Sequence, residues 1–230
     1  MSQTLALLHT SHVLIPMFSA LCKQTIPDVA IFHMVDESLI KNTIAAGALT
    51  KATARRLLAL IQNAREAGAD AVLVTCSSIG PAVPVAREVF DFPVLRVDEA
   101  MAEEAVRQGA RIGVMATLPT TLEPTVTLLR ETAGAQSRRI DVVPCLCDKA
   151  FNAVIAGDKE THDRLVCAAL VQLIDTVDVV VLAQASMASA VDRIPPEARL
   201  KPVLSSPGSA VSRAREVLIA EAAKGKGART

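Results

Sequence analysis

Two stretches of this chain repeat each other. DAVLVTCSSIGPAV begins at Asp70 and DVVVLAQASMASAV begins at Asp178, an offset of 108 residues. Three neighbouring pairs keep the same order at nearly the same spacing: LALLHTSH from Leu5 with IGVMATLP from Ile112 (107), IAAG ending at Gly47 with VIAG ending at Gly157 (110), and PVLRVDEAM from Pro93 with PVLSSPGSA from Pro202 (109). Four ordered matches at one period are the mark of a duplicated unit. The chain is therefore expected to form two similar lobes, residues 1–97 and 98–204, with 205–230 packing back on the first.

Each unit reads as α/β. Short apolar runs, Leu5–Leu8, Val29–Phe32, Ala71–Thr75, Pro93–Val97, Ile112–Met115, Ile140–Val143, Val179–Leu182 and Pro202–Leu204, are mostly continuous rather than alternating. That pattern predicts parallel strands covered on both faces. Between them run helical stretches such as Thr50–Gly68, with a threonine cap, Leu57, Leu58, Leu60 and Ile61 at helical spacing, and a glycine stop. The predicted fold is two pseudo-symmetric α/β lobes with parallel sheets and an active-site cleft between them.

Composition narrows the function classes. The 24 basic residues balance 24 acidic ones, and no basic stripe is interleaved with aromatics, so nucleic acid is not an expected partner. The N-terminus has no basic n-region, and His9, Thr10, Ser11 and His12 interrupt its apolar run, so no signal peptide is read. Gln172, Asp175 and Asp178 break the richest apolar stretch, which rules out a membrane span on sequence grounds. The expected setting is cytoplasmic. Five cysteines, Cys22, Cys76, Cys145, Cys147 and Cys167, have no framework spacing, so reduced thiols are expected rather than disulfides. Cys145-Leu146-Cys147 lacks the gap and second ligand pair of a zinc site, so no metal is expected. A dinucleotide fingerprint and a P-loop are both missing from the sequence, and no cofactor is predicted.

Ligands of open parallel sheets bind beyond the carboxyl ends of the strands. There this sequence places His9, Thr10 and Ser11; Thr75, Cys76, Ser77 and Ser78; Thr117, Thr120 and Thr121; and Gln184, Ala185 and Ser186. Cys76 stands at a strand-to-helix junction, where unpaired amides and the helix dipole favour an anion, so its thiol pKa is expected to be lowered. The hydroxyls of Ser77, Ser78, Thr117, Thr120 and Thr121 read as carboxylate binders alongside helix N-terminal amides, with binding favoured for Ser77 and Thr117 and helix capping for Thr121. His9 and His12 are read as following the first strand, and His9 is a candidate general acid or base. His33, at the end of the second strand, and Asp36 are weaker versions of the same idea, while His162 in DKETHDR reads as solvated. No dedicated arginine is evident, so hydroxyls and amides are expected to hold a small carboxylate.

TCSSIG in one repeat, LAQASMA at the matching place in the other, and GVMATLPTT from Gly113 resemble the aspartate/glutamate/hydantoin racemase superfamily over nearly the whole chain. The resemblance implies cofactor-independent proton transfer, with one cysteine per lobe facing the substrate carbon from opposite sides, and a homo-oligomer of open subunit number. Cys76 stands at the first thiol position and Gln184 at the second. An amide does not exchange protons near neutral pH as a thiol does, which leaves three readings. Cys76 moves a proton next to a carboxylate, with Gln184 donating to the enolate and His9, Ser186 or water as second acid. Alternatively, the protein resembles the superfamily's single-thiol decarboxylases, in mirror arrangement. The third is a carboxylate-binding protein, including one whose Cys76 adds to an unsaturated diacid.

Overall fold

In the computed structural model, residues 3–191, 193–194 and 201–227 are described. The chain divides into two compact units, one of residues 1–97 with 207–230 and the other of residues 98–206.

The first unit is a four-stranded parallel sheet ordered β2-β1-β3-β4, built from β1 (Thr4–His9), β2 (Ala30–Val35), β3 (Ala71–Val74) and β4 (Val94–Arg96). Successive side chains of a strand point to opposite faces. Ala6, Leu8, Val72, Val74 and Val94 therefore pack on one side, against Leu39 of α2 (Glu37–Ala46) and Leu57 and Ile61 of α3 (Lys51–Glu66). On the other side, Leu5, Leu7, Ala71, Leu73 and Leu95 meet Phe18 and Cys22 of α1 (Ile15–Thr25) and Val211, Ala214 and Leu218 near the chain's end. Both faces are covered, which is why these strands read as unbroken apolar runs. A short helix α4 (Val83–Val89) follows β3.

The second unit repeats this plan. Its sheet is ordered β6-β5-β7-β8, from β5 (Arg111–Ala116), β6 (Asp141–Leu146), β7 (Val179–Leu182) and β8 (Val203–Ser205). Helices α5 (Glu99–Gln108) and α6 (Pro119–Ala135) cover one face, whereas α8 (Lys159–Ile174), which follows the short α7 (Asp148–Ile155), covers the other. Two further helices, α9 (Ala188–Val191) and α10 (Ser206–Gly227), complete the chain order, and α10 from Pro207 onward belongs to the first unit.

The registers correspond as well. Leu5 lies opposite Ala71 and Leu8 opposite Val74, as Ile112 lies opposite Val179 and Met115 opposite Leu182. Asp70 accepts from Thr4 N at 2.8 Å and Asp178 accepts from Arg111 N at 2.8 Å, so the paired aspartates of the repeat tie the same strand start. Gly47 and Gly157 both turn left-handed, at φ +70 and +78, a conformation that glycine adopts without steric cost. The duplication read from the sequence is thus a duplication of backbone.

The strand ends differ from expectation in two places. β1 runs through His9 and β2 continues to Val35, with His9 opposite Val35. His9 and His33 therefore sit inside strands rather than after them, because ladder pairing carries the strands past the last aliphatic residue. No helix among the described residues is long and apolar enough to cross a membrane.

Candidate functional site

Cys76 caps the start of a 3-10 turn, Ser77–Ala82, two residues beyond the end of β3. Its backbone is extended (φ −127, ψ 117), its side chain makes no capping hydrogen bond, and its carbonyl accepts from the Ile79 amide at 3.3 Å. The Thr10 hydroxyl, the Ser78 amide and hydroxyl, and the Ile79 amide nevertheless lie near enough to the sulfur to favour its anion. Thr10, Ser77 and Ser78 are buried and Cys76 is half-buried.

The expected lowering of the thiol pKa does not hold. Burial outweighs the four donors and pushes the Cys76 pKa up, because withdrawing a thiolate from water costs more than the local amides return. The donors still define where negative charge would settle. Cys76 rests as a neutral thiol in a pocket of groups suited to its anion.

His9 is fully buried and is not open to a ligand as a general acid or base. Its Nδ1 bonds Thr75 Oγ1 at 2.8 Å and its Nε2 bonds His33 Nδ1 at 2.9 Å. Burial, then the neighbouring His33, lowers its pKa to about 4. The ring stays neutral with both nitrogens in use. Ser11 is half-buried at the start of a short 3-10 turn and makes no capping bond with its side chain. His12 is exposed and pairs with Glu37 at 2.9 Å, while Asp36 caps α2 and holds Arg56 at 2.5 Å.

The second unit assembles its own set. Gln184 occupies the same position as Cys76, capping a 3-10 turn, Ala185–Met187, with φ −131 and ψ 135. Thr117 donates to its Oε1 twice, from the amide at 2.6 Å and the hydroxyl at 2.9 Å. A backbone N–H can only donate, so the oxygen must face Thr117 and the NH2 must point away from it. Ala185 is half-buried and Ser186 exposed.

Thr117, Thr120 and Thr121 are all buried at the start of α6. The expectation that Thr121 caps this helix fails, since the cap position is Leu118 with Pro119 next, and proline suits the first helical position because its missing N–H has no partner there anyway. The Thr120 hydroxyl is buried with no hydrogen-bond partner among the described residues. Such a group is costly unless something binds it.

Two features escaped the sequence reading. Arg96, at the end of β4, is buried, and a Cβ on Gly80 would stand 2.4 Å from its Nε; only glycine lets this guanidinium lie against the Cys76 turn. His162 is not solvated but buried, donating from Nδ1 to the buried Asp163 at 2.9 Å, which also takes Lys159 at 2.7 Å. The cysteines are free thiols, and no cluster of three or more metal-binding side chains occurs among the described residues.

The profile of the Asp/Glu/hydantoin racemase family matches residues 8–214. Among solved structures, the chain is similar to a glutamate racemase from Bacillus anthracis (TM-score 0.74, 16% identity, covering 95% of this chain and 82% of that one). It is also similar to an aspartate racemase from Picrophilus torridus (0.70, 15%, 91% and 91%) and an allantoin racemase from Klebsiella pneumoniae (0.63, 19%, 96% and 89%). No curated protein matches the chain.

Proposed function

The chain belongs to the Asp/Glu/hydantoin racemase family, and from that premise we propose that it is a cofactor-independent isomerase that removes and returns a proton at the carbon beside a carboxylate of a small amino-acid-like substrate, with Cys76 as acid and base. Family membership supports an isomerase. The observation that carries the role of Cys76 is its place as the cap of the turn after β3, where groups of Thr10, Ser78 and Ile79 favour its anion. They favour the thiolate that takes the proton from one face, and the resulting thiol is the acid on that face when the reaction runs from the opposite enantiomer, a separate acid protonating the other face.

The remaining groups have roles consistent with this chemistry. Within its own unit Gln184 has its oxygen held by Thr117, which leaves the NH2 as the available donor. The unpartnered Thr120 hydroxyl is suited to a carboxylate. His9 is sealed in its own hydrogen bonds, so a group other than His9, or water, serves as the second acid.

Two observations favour a second reading, a single-thiol decarboxylase of a substituted malonate. Gln184 offers no second acid, and burial keeps Cys76 protonated. Loss of carbon dioxide creates the carbanion without a base, and a neutral thiol is then the group needed to protonate it.

Proton NMR in deuterated water, with aspartate, glutamate, hydantoins including allantoin, and substituted malonates, separates the readings. Deuterium entering the α-position, dependent on Cys76 by comparison with Cys76→Ala, supports the isomerase. Cys76-dependent loss of carbon dioxide with one product hand supports the decarboxylase. No reaction with any of them refutes both and favours a carboxylate-binding protein.

A further inference from the structure

The hydrogen bonds around His9 have a direction that the atoms themselves dictate. Leu8 O is a carbonyl and only accepts. Thr75 directs its single hydroxyl proton there at 3.0 Å, so toward His9 Nδ1 it must accept, and Nδ1 must carry a proton. A neutral imidazole with Nδ1–H has a lone pair on Nε2, which takes the proton of His33 Nδ1 at 2.9 Å. By the same logic His33 Nε2 accepts from the Ser19 hydroxyl at 2.9 Å. The chain runs one way, from Ser19 on α1 through His33 on β2 and His9 on β1 to Thr75 at the end of β3.

The surroundings keep both rings neutral. Phe18 lies 5.5 Å from the His9 ring, and the two imidazoles stack at 5.1 Å. No carboxylate among the described residues hydrogen-bonds either ring. Asp36 is engaged by Ser38 and Arg56, and Glu37 by His12 and Lys41. Cys22, in the same apolar cluster as Phe18, has its thiol pushed up to about 11 and is uncharged. Burial lowers the His33 pKa as well.

The backbone tie between β1 and β3 closes with Thr75 N donating to Leu8 O at 3.0 Å. The side-chain relay continues that tie beyond the ladder. We propose that Ser19, His33 and His9 are positioning residues whose one-way hydrogen-bond chain holds the ends of β1 and β3, so that Thr10, which follows His9, donates to the sulfur of Cys76, which follows Thr75. The inference rests on Cys76 as the reacting group, but its test does not require turnover.

Alkylation of the full-length protein by iodoacetamide, followed at the Cys76 peptide by mass spectrometry, reads the thiolate directly. His33→Leu breaks the chain, and Cys76 alkylation at about pH 8 is expected to slow roughly 10-fold, equivalent to one pKa unit. His33→Gln, whose amide both donates to His9 and accepts from Ser19, restores the rate. An unchanged or faster rate in folded His33→Leu overturns the proposal. Nitrogen-15 NMR of the wild-type histidines needs no variant: both rings are expected as the Nδ1–H tautomer, and an Nε2–H tautomer at either overturns it. Expected results here, with no proton exchange or decarboxylation in the NMR panel, would refute the proposed function and leave this inference standing.

Discussion

Thr10→Val is the most direct test of how the Cys76 thiolate is stabilised. Thr10 is buried and one of four donors to the sulfur. Valine keeps its shape and leaves no buried donor unpaired, so the fold is expected to survive. A hydrogen bond to a charged group contributes about 1.5–3 kcal/mol, or roughly one to two pKa units for the acceptor. Three donors remain on the sulfur and take up part of the loss, which puts the expected change near one unit. The shift is upward, adding to the rise that burial already imposes. At about pH 8, below the pKa, thiolate scales with the equilibrium constant, so Cys76 alkylation should fall about 10-fold. The pH–rate profile of Cys76 alkylation in wild type and variant measures it. An equal or faster rate in Thr10→Val would show that the hydroxyl does not support the anion. A double-variant cycle extends the test: if His33 acts through Thr10, His33→Leu with Thr10→Val reacts no more slowly than Thr10→Val alone.

Gln184→Cys supplies a thiol at the repeat position matching Cys76, and under the isomerase reading it creates or raises interconversion of enantiomers, followed by circular dichroism. Unchanged activity on every chiral substrate of the panel would refute the idea that Gln184 stands where a second acid acts. Thr120→Val removes a buried hydroxyl that has no partner among the described residues, so thermal stability should hold or rise while KM rises; a loss of about 1 kcal/mol or more in stability would mean that the hydroxyl is bonded within the protein. Asp163→Ala leaves the buried His162 N–H unpaired and should cost about 1–3 kcal/mol. Hydrogen bonds from Lys159 and His162 hold the Asp163 carboxyl below its ordinary pKa despite its burial. Its contribution is therefore complete above the unfolded carboxyl pKa and disappears as pH falls through the lower folded value. The difference in Tm between wild type and variant should shrink in that acidic window, and a gap that persists below it would refute the assignment.

Much of this was legible in the sequence for a simple reason. Strands buried on both faces must be continuous apolar runs, so β1, β3, β4, β5 and β7 showed themselves most plainly. Candidate ligand groups of parallel sheets lie beyond the carboxyl ends, so the positions of Thr10, Cys76, Thr117 and Gln184 just past their strands could be read from the sequence. What escaped notice depends on contacts between distant elements. His9 and His33 lie 24 residues apart and meet only because β1 and β2 pair. His162 reads as solvated within DKETHDR, yet its place on α8 turns it inward beside the buried Asp163. The Cys76 pKa shows the same limit: the helix start is a local feature that sequence reveals, while the burial that outweighs it belongs to the whole unit.

The duplication explains how one scaffold comes to present unlike chemistry. In both units the strand ends, one residue follows, and the next caps a 3-10 turn with nearly the same backbone, φ −127 and ψ 117 at Cys76 against φ −131 and ψ 135 at Gln184. The geometry therefore presents whichever side chain stands there. Neighbours from the adjacent strand then adapt to it. After β1, Thr10 gives the thiol a donor suited to its anion; after β5, Thr117 binds the amide oxygen with two donors and turns the NH2 outward. A thiol and an amide thus occupy equivalent positions, each with a threonine from the adjacent strand's end beside it. Under the proposed function this asymmetry makes Gln184→Cys with Thr117 left in place the decisive substitution. Thr117 then stands ready to donate to the new sulfur, as Thr10 does to the old one.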